Sequence, residues 1–136
     1  MSGDNNFNVG YGSICFMEQV LTTHTAVASF ERQNDIQFLV ERRSDLTDLN
    51  VVFVDEYELG EAFAYAVINE FDGVNVIVNN GNWNHIILDW RDFAKRTDVA
   101  ILKVSDFMGA INVNKLEKYV TESEREERRR KRKKSS

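Results

Sequence analysis

The sequence predicts an α/β domain in which a mixed central sheet is sandwiched between helices in three layers. Five short runs rich in β-branched and aromatic residues punctuate the chain, and the last three alternate with segments of helical period. Strand, helix, strand, helix, strand implies parallel pairing through right-handed crossovers, whereas the first three runs follow one another across short polar turns and read as an antiparallel meander. At 136 residues, with 43% apolar and 29% charged, the chain suits one domain with one core.

Residues 1–11, rich in Asn and Gly, read as a loosely held start, followed by the folded domain over 12–120 and a charged tail over 121–136. GSICFMEQVLTTH places Ile14, Met17, Val20 and Leu21 at helical spacing, with Ser13 as the expected N-cap. TAVASFERQ and DIQFLVERR are joined by the turn-prone pair Gln33–Asn34. In the second of them Ile36, Phe38 and Val40 alternate with Asp35, Gln37, Leu39 and Glu41, as a strand requires. The run in NVVFVDEY reads as a central strand. LGEAFAYAVINEF reads as a helix with Leu59, Phe63, Ala66 and Val67 on its inner face, and VNVIVNN as a further strand. Ile86, Trp90, Phe93 and Ala94 give the next helix, VAILKV the last strand, and Ser105–Asp106 a cap for the turn DFMGAI. From Asn114 a helix is expected through KLEKYVTESEREERRR.

Composition narrows the function classes. No apolar run approaches the roughly 20 residues that cross a bilayer, so no membrane partner is expected. The start of the chain lacks a secretory signal pattern, and one cysteine, Cys15, leaves no intrachain disulfide and reads as a small buried hydrophobe. A cytoplasmic setting is expected, or a nuclear one in a eukaryote. The net charge of −5 divides unevenly: residues 121–136 hold eight Lys/Arg against four acids, while residues 1–120 hold nine against eighteen. An acidic body repels nucleic acid unless a local basic patch, a divalent cation or the tail intervenes. Arg128, Arg129, Arg130, Lys131, Arg132, Lys133 and Lys134 form that basic run. They repel one another, predict disorder when free, and suit phosphate contact through counterion release, with DNA the expected form. Glu122, Glu124, Glu126 and Glu127 favour helix up to about Arg130 through pairing with arginines one turn on.

The acids of VVFVDEYELGEAF pose the sharper question. Neighbouring strands bring side chains within about 5 Å. Asp35, opening the second strand, and Asp55, ending the third, therefore have a route to one point, with Glu18 as a third carboxylate. Such oxygens suit Mg²⁺, which would polarise a phosphodiester, and no organic cofactor is indicated. On spacing alone the same acids also read as solvated strand ends. In NNGNWN, turn chemistry around Gly81 competes with base contact by Trp83. His24 and His85 have no local partners for zinc, and Arg91, Lys95 and Arg96 form a modest basic stripe.

The element order, together with GVNVIVNNGNWN and LDWRDFAKRTDVAILKVSDFMGAI, resembles the restriction-endonuclease-like fold, and within it the Mrr and NERD nuclease-related domains. The resemblance covers roughly residues 12–111. It implies a three-layer α/β sandwich and a Mg²⁺-dependent endonuclease site with Asp35 and Asp55 as the metal-binding acids and Glu18 as the helix acid. The family's acid-x-Lys strand falls on VFVDEY, which puts Tyr57 in the place of the lysine, on one strand face with Asp55. A tyrosine neither orients water nor neutralises phosphate as lysine does. Arg42 or Arg43 is the expected replacement cation. Without one, activity is weakened or lost, and the chain becomes an interaction module, of a kind a virus or mobile element would carry. Its acidic body would meet a protein partner and its tail nucleic acid; oligomerisation stays open. FVDEYELGEAFAYAVI also resembles the opening of a response-regulator receiver, but some fifty residues precede it and no acid ends the VNVIVNN strand.

Overall fold

The computed structural model describes residues 9–81 and 84–135. In chain order it contains α1 (Tyr11–Thr23), β1 (Val27–Arg32), β2 (Gln37–Arg42), β3 (Leu49–Val54), β4 (Glu58–Leu59), α2 (Glu61–Glu70), β5 (Val76–Asn79), β6 (His85–Ile86), α3 (Trp90–Thr97), β7 (Ala100–Lys103), α4 (Val104–Ala110), a 3-10 turn (Leu116–Lys118) and α5 (Glu122–Ser135). The main sheet has the order β1-β2-β3-β5-β7. β1, β2 and β3 pair antiparallel, and β3, β5 and β7 pair parallel, so the sheet is mixed as the sequence predicts. β4 and β6 form a separate two-stranded parallel sheet.

Helices flank both faces. His24, at the end of α1, shares a 2.7 Å hydrogen bond through Nε2 with the Met108 carbonyl of α4, which places these two helices together. Arg96 of α3 reaches Glu61 of α2 at 2.9 Å, which joins the other two. Val51, Val52, Phe53 and Val54 are all fully buried, which makes β3 the centre of the core. Only an apolar strand covered on both faces reads this way. Toward the β1 edge the cover is incomplete, and Ser29, Glu31, Leu39 and Glu41 face solvent.

Several local expectations shift, each for a physical reason. α1 starts two residues before Ser13, at Tyr11 with Gly10 as its N-cap, so Ser13 lies inside the helix. Cys15 is exposed on α1 instead of buried. On α2 Val67 is buried and Phe63 packs against the core as expected, but Ala64 takes the inner place expected for Ala66, which is exposed, and Leu59 belongs to β4 and not to the helix. Likewise Ile86 belongs to β6, and α3 begins at Trp90, where the Asp89 side chain accepts from the Asp92 N–H at 3.2 Å. α4 starts at Val104 with no side-chain cap, so Ser105 and Asp106 sit in its first turn. The expected helix from Asn114 is interrupted by the 3-10 turn and restarts at Glu122.

The largest departure concerns Arg42, which is 3% exposed. Its Nε donates to the Thr47 carbonyl at 2.6 Å and its Nη2 to Thr47 Oγ1 at 3.0 Å. Nη1 donates to the Ile111 and Val113 carbonyls at 3.2 and 2.8 Å, and Nη2 to the Asn114 carbonyl at 3.1 Å. Burial pushes the guanidinium below its ordinary value, opposed by Asp48, and the group stays charged. The planar fork thus ties the β2–β3 turn to the segment leaving α4. Arg42→Met should lower unfolding free energy by about 3 kcal/mol, because it leaves several carbonyls without a donor. Arg42→Lys should recover only part of the loss, since an ammonium cannot span the fork. Urea denaturation followed by tryptophan fluorescence measures both.

Candidate functional site

β2 begins where β3 ends. Gln37 pairs with Val52, and the Phe53 N–H donates to the Ile36 carbonyl at 2.8 Å. Asp35 and Asp55 therefore flank one end of the sheet, Asp35 half-buried and Asp55 exposed. Asp55 Oδ1 accepts from Asn84 Nδ2, which also donates to the Asn80 carbonyl at 2.6 Å. Asn80 in turn donates its N–H to the Val54 carbonyl at 2.8 Å and its amide to Ser13 Oγ at 3.2 Å. The loop after β5 is thus folded back over the end of β3. Gly81 takes φ +97°, and a Cβ there would lie 3.1 Å from the Asn84 amide nitrogen, so this position needs glycine. Trp83, the other candidate in this loop, lies outside the described residues.

The remaining members of the sequence-derived site are placed apart. β3 stops at Val54, and Asp55, Glu56 and Tyr57 turn out of the main sheet to join the β4–β6 pair. The Tyr57 carbonyl accepts from the His85 N–H at 2.7 Å, and the Tyr57 ring meets His85 edge-on at 5.7 Å. Strand alternation therefore does not relate Asp55 to Tyr57, whose side chain is exposed. Arg42 ends β2, at the opposite end of the strand from Asp35, and Arg43 follows it; neither reaches the acids. Glu18, on α1, lies 4.0 Å from Arg32 Nε. Among the described residues no group of three or more His, Cys, Asp or Glu is placed to hold a metal ion, so Glu18, Asp35 and Asp55 do not converge as a trio. Lys103 sits on the sheet row Val54–Asn79–Lys103, two strands and about 10 Å from the end of β3.

The tail is tied to the body by a cap that the sequence states as Thr-x-x-Glu. Thr121 Oγ1 accepts from the Glu124 N–H at 3.3 Å, and Glu124 Oε1 accepts from the Thr121 N–H at 2.9 Å. This reciprocal capping box starts α5. The same carboxylate receives Arg91, whose Nη2 lies 2.7 and 2.8 Å from its two oxygens and also donates to the Tyr119 carbonyl at 2.8 Å. Tyr119 lies directly over Gly109 of α4, where any Cβ would collide with the ring, and the Arg125 guanidinium stands 5.3 Å above that ring. Arg128 through Lys133 are exposed on the helix, which runs to Ser135 and so passes the point where charge pairing ends. Arg and Lys are themselves good helix formers, and no Gly or Pro intervenes. The Lys134 side chain lies outside the described ones. Two members of the basic stripe of α3 are engaged: besides Arg91, Arg96 bonds Glu61 and Asp92, which hold its pKa above the ordinary value.

Comparison with known proteins found no family model, no curated protein and no solved structure that matches the chain. Among the described residues no helix is long and apolar enough to cross a membrane.

Burial raises the Glu124 pKa, but the hydrogen bonds from Arg91 and Thr121 outweigh it, and the carboxyl titrates below its ordinary value. Its contribution is complete above the unfolded value of about 4.3 and fades as pH falls through the lower folded value. An acid titration followed by circular dichroism should show loss of α5 helicity below about pH 4. Glu124→Gln should lack that step and show lower helicity at neutral pH.

Proposed function

We propose that the protein is a nucleic-acid-associated module on a nuclease-like α/β scaffold that has lost phosphodiester cleavage and contacts phosphate through the basic half of α5. The observation that carries this reading is the exposed run Arg128–Lys133 on a helix anchored by its acidic first turn to an acidic body. Preformed helix lowers the ordering cost of binding, and six exposed cations in succession suit a backbone without reading its sequence. The loss of cleavage is supported by the side chains around Asp35 and Asp55. Tyr57 stands outside the strand, Arg42 is consumed by carbonyls at the far end of β2, and Asp55 is occupied by Asn84. If Mg²⁺ binds at all, Asp35 and Asp55 are its ligands. The acidic body remains for a protein partner, and the uncovered face of β1 and β2, with Leu39 between Glu31 and Glu41, is the surface for it.

The test is fluorescence anisotropy with DNA and RNA at several salt concentrations, beside a cleavage assay with Mg²⁺ or EDTA. Affinity should fall with salt, by a log–log slope of about 0.7 to 0.9 per phosphate contacted. Replacing Arg128, Arg129 and Arg130 by Glu should abolish binding without altering the melting temperature by more than a few degrees. Asp35→Asn and Asp55→Asn should bind as the wild type does. Metal-dependent cleavage that disappears in both Asn variants would overturn the reading and make the protein a nuclease.

A further inference from the structure

The sheet face left open over β1 and β2 carries a groove of about 310 Å³. Leu39, 37% exposed, lies in it, with Asn50 and Asn75 toward the middle of the sheet. Among the described residues its lining holds three carboxylates, Glu31 of β1, Glu41 of β2 and Asp48 just before β3, and no lysine or arginine. Glu31 stands opposite Leu39 and Glu41 opposite Ser29, which makes the two acids diagonal neighbours about 7–8 Å apart. Continuing the β2–β3 register one step past Val40–Leu49 sets Asp48 against Glu41. Like charges so opposed repel. Ser29 Oγ donates to Glu41 at 3.4 Å, a neutral contact that leaves the repulsion in place. Asp48 acts on Arg42, but the donors of that guanidinium are committed to carbonyls.

Charge decides what covers this face. The cations of the chain are concentrated in residues 121–136, eight Lys/Arg against four acids. Arg128 and Arg132 are exposed on α5, one turn and about 6 Å apart on the same side of the helix. A helix laid across β1 and β2 therefore presents cations at close to the spacing of the acids, and the arginine stems can cover Leu39. The sequence of α5, ESEREERRRKRKKS, has no apolar stripe, so its complement is an acidic surface and not an apolar one. The chain's own α5 does not occupy the groove: none of its residues lines it. Its first turn is fixed by Arg91 of α3, which packs on β7, the edge of the sheet opposite β1. Beyond β1 no further strand pairs among the described residues, so the groove is open from that side.

We propose that this face is the docking site for α5 of a second copy of the chain, so that self-association and phosphate binding compete for one helix. Reciprocal exchange of the helices closes a pair. A nucleic acid, with its denser negative charge, takes the helix from the groove and releases the pair. The inference rests on the reading of α5 as the phosphate-binding helix and names the partner of the acidic face; the test separates the two.

Sedimentation equilibrium of the full chain over a range of concentrations reads the association. At low salt the weight-average mass should rise to about twice that of the monomer, and it should return to the monomer value near about 0.5 M salt, where screening is short. Glu31→Lys with Glu41→Lys reverses the groove, and Arg128→Glu with Arg132→Glu reverses the helix. All four side chains are exposed, and each double variant alone should stay monomeric. Mixed in equal amounts, the two variants should associate again, because each groove then meets a helix of opposite charge. An oligothymidylate should dissociate the wild-type pair, and the groove variant should bind it about threefold more tightly than the wild type does at concentrations where the wild type is paired. A wild type that stays monomeric, a groove variant that pairs as the wild type does, or a mixture that stays monomeric would overturn the docking, while oligothymidylate binding still supports the helix reading. Pairing that answers to both reversals in a protein that binds no oligothymidylate would overturn the phosphate reading and leave the docking standing.

Discussion

The interaction on which the architecture most depends is the buried guanidinium of Arg42. It lies at the end of a strand that would otherwise stop at a solvent-facing turn. Its donors satisfy carbonyls from two chain segments far apart in sequence, the turn at Thr47 and the stretch Ile111–Asn114. Those later carbonyls follow α4 and would otherwise be orphaned at a helix end, where unpaired acceptors are costly. Because the fork is planar, it fixes the direction in which the chain leaves α4. That direction carries Tyr119 across Gly109 and brings Thr121 and Glu124 to Arg91. A buried arginine at the end of β2 thereby sets where the basic helix begins.

At the other end of the strands the controlling groups are amides, and they shape the acid end without assembling a cation there. Asn79 is 2% exposed; its Oδ1 accepts from the Glu56 N–H and its Nδ2 donates to the Glu56 carbonyl, both at 2.9 Å. This side-chain amide imitates the next rung of a strand ladder just where β3 has ended. It holds the chain as it turns away toward β4, so Tyr57 leaves the sheet before period-2 alternation can align it with Asp55. Asn84 then occupies one oxygen of Asp55. The resulting end is an amide-capped strand terminus with two carboxylates at its rim.

Most of the fold was legible in the sequence because burial writes itself into composition. VVFV is apolar at every position and became the central strand, while IQFLV alternates because its outer face is left open. What was missed depends on partners distant in sequence. Nothing local distinguishes Arg42 from its exposed neighbour Arg43, since the deciding carbonyls lie some 70 positions away. The inner face of α2 was misphased because Leu59 and Phe63 look like one stripe, yet Leu59 is drawn into a two-residue strand by β6. One signal was available and overlooked: Thr121-x-x-Glu124 spells a capping box, which would have marked a new helix start instead of a continuation from Asn114. For the candidate site, the basic run was plain in composition. The meeting of Arg91 with Glu124 was not, because it requires the path of α5 across α3.

The anchoring of α5 also constrains how its charges can act. Glu124 bonds Arg91 and closes the cap, so one acidic residue of the tail is spent on docking instead of neutralising the arginines ahead of it. Farther along, Glu127 lies 3.6 Å from Lys131, both largely exposed, a contact that contributes little in water and is easily surrendered. The first turn is therefore held by a capping box and a bidentate ion pair, while the Glu127–Lys131 pair farther along is exposed to water. A polyanion approaching the helix gains counterion release along the outer turns without having to break the contact that orients it. The electrostatic gain and the positional constraint reside on different turns of the same helix, so a change in salt weakens the former while the geometry delivered by Arg91 and Thr121 is retained.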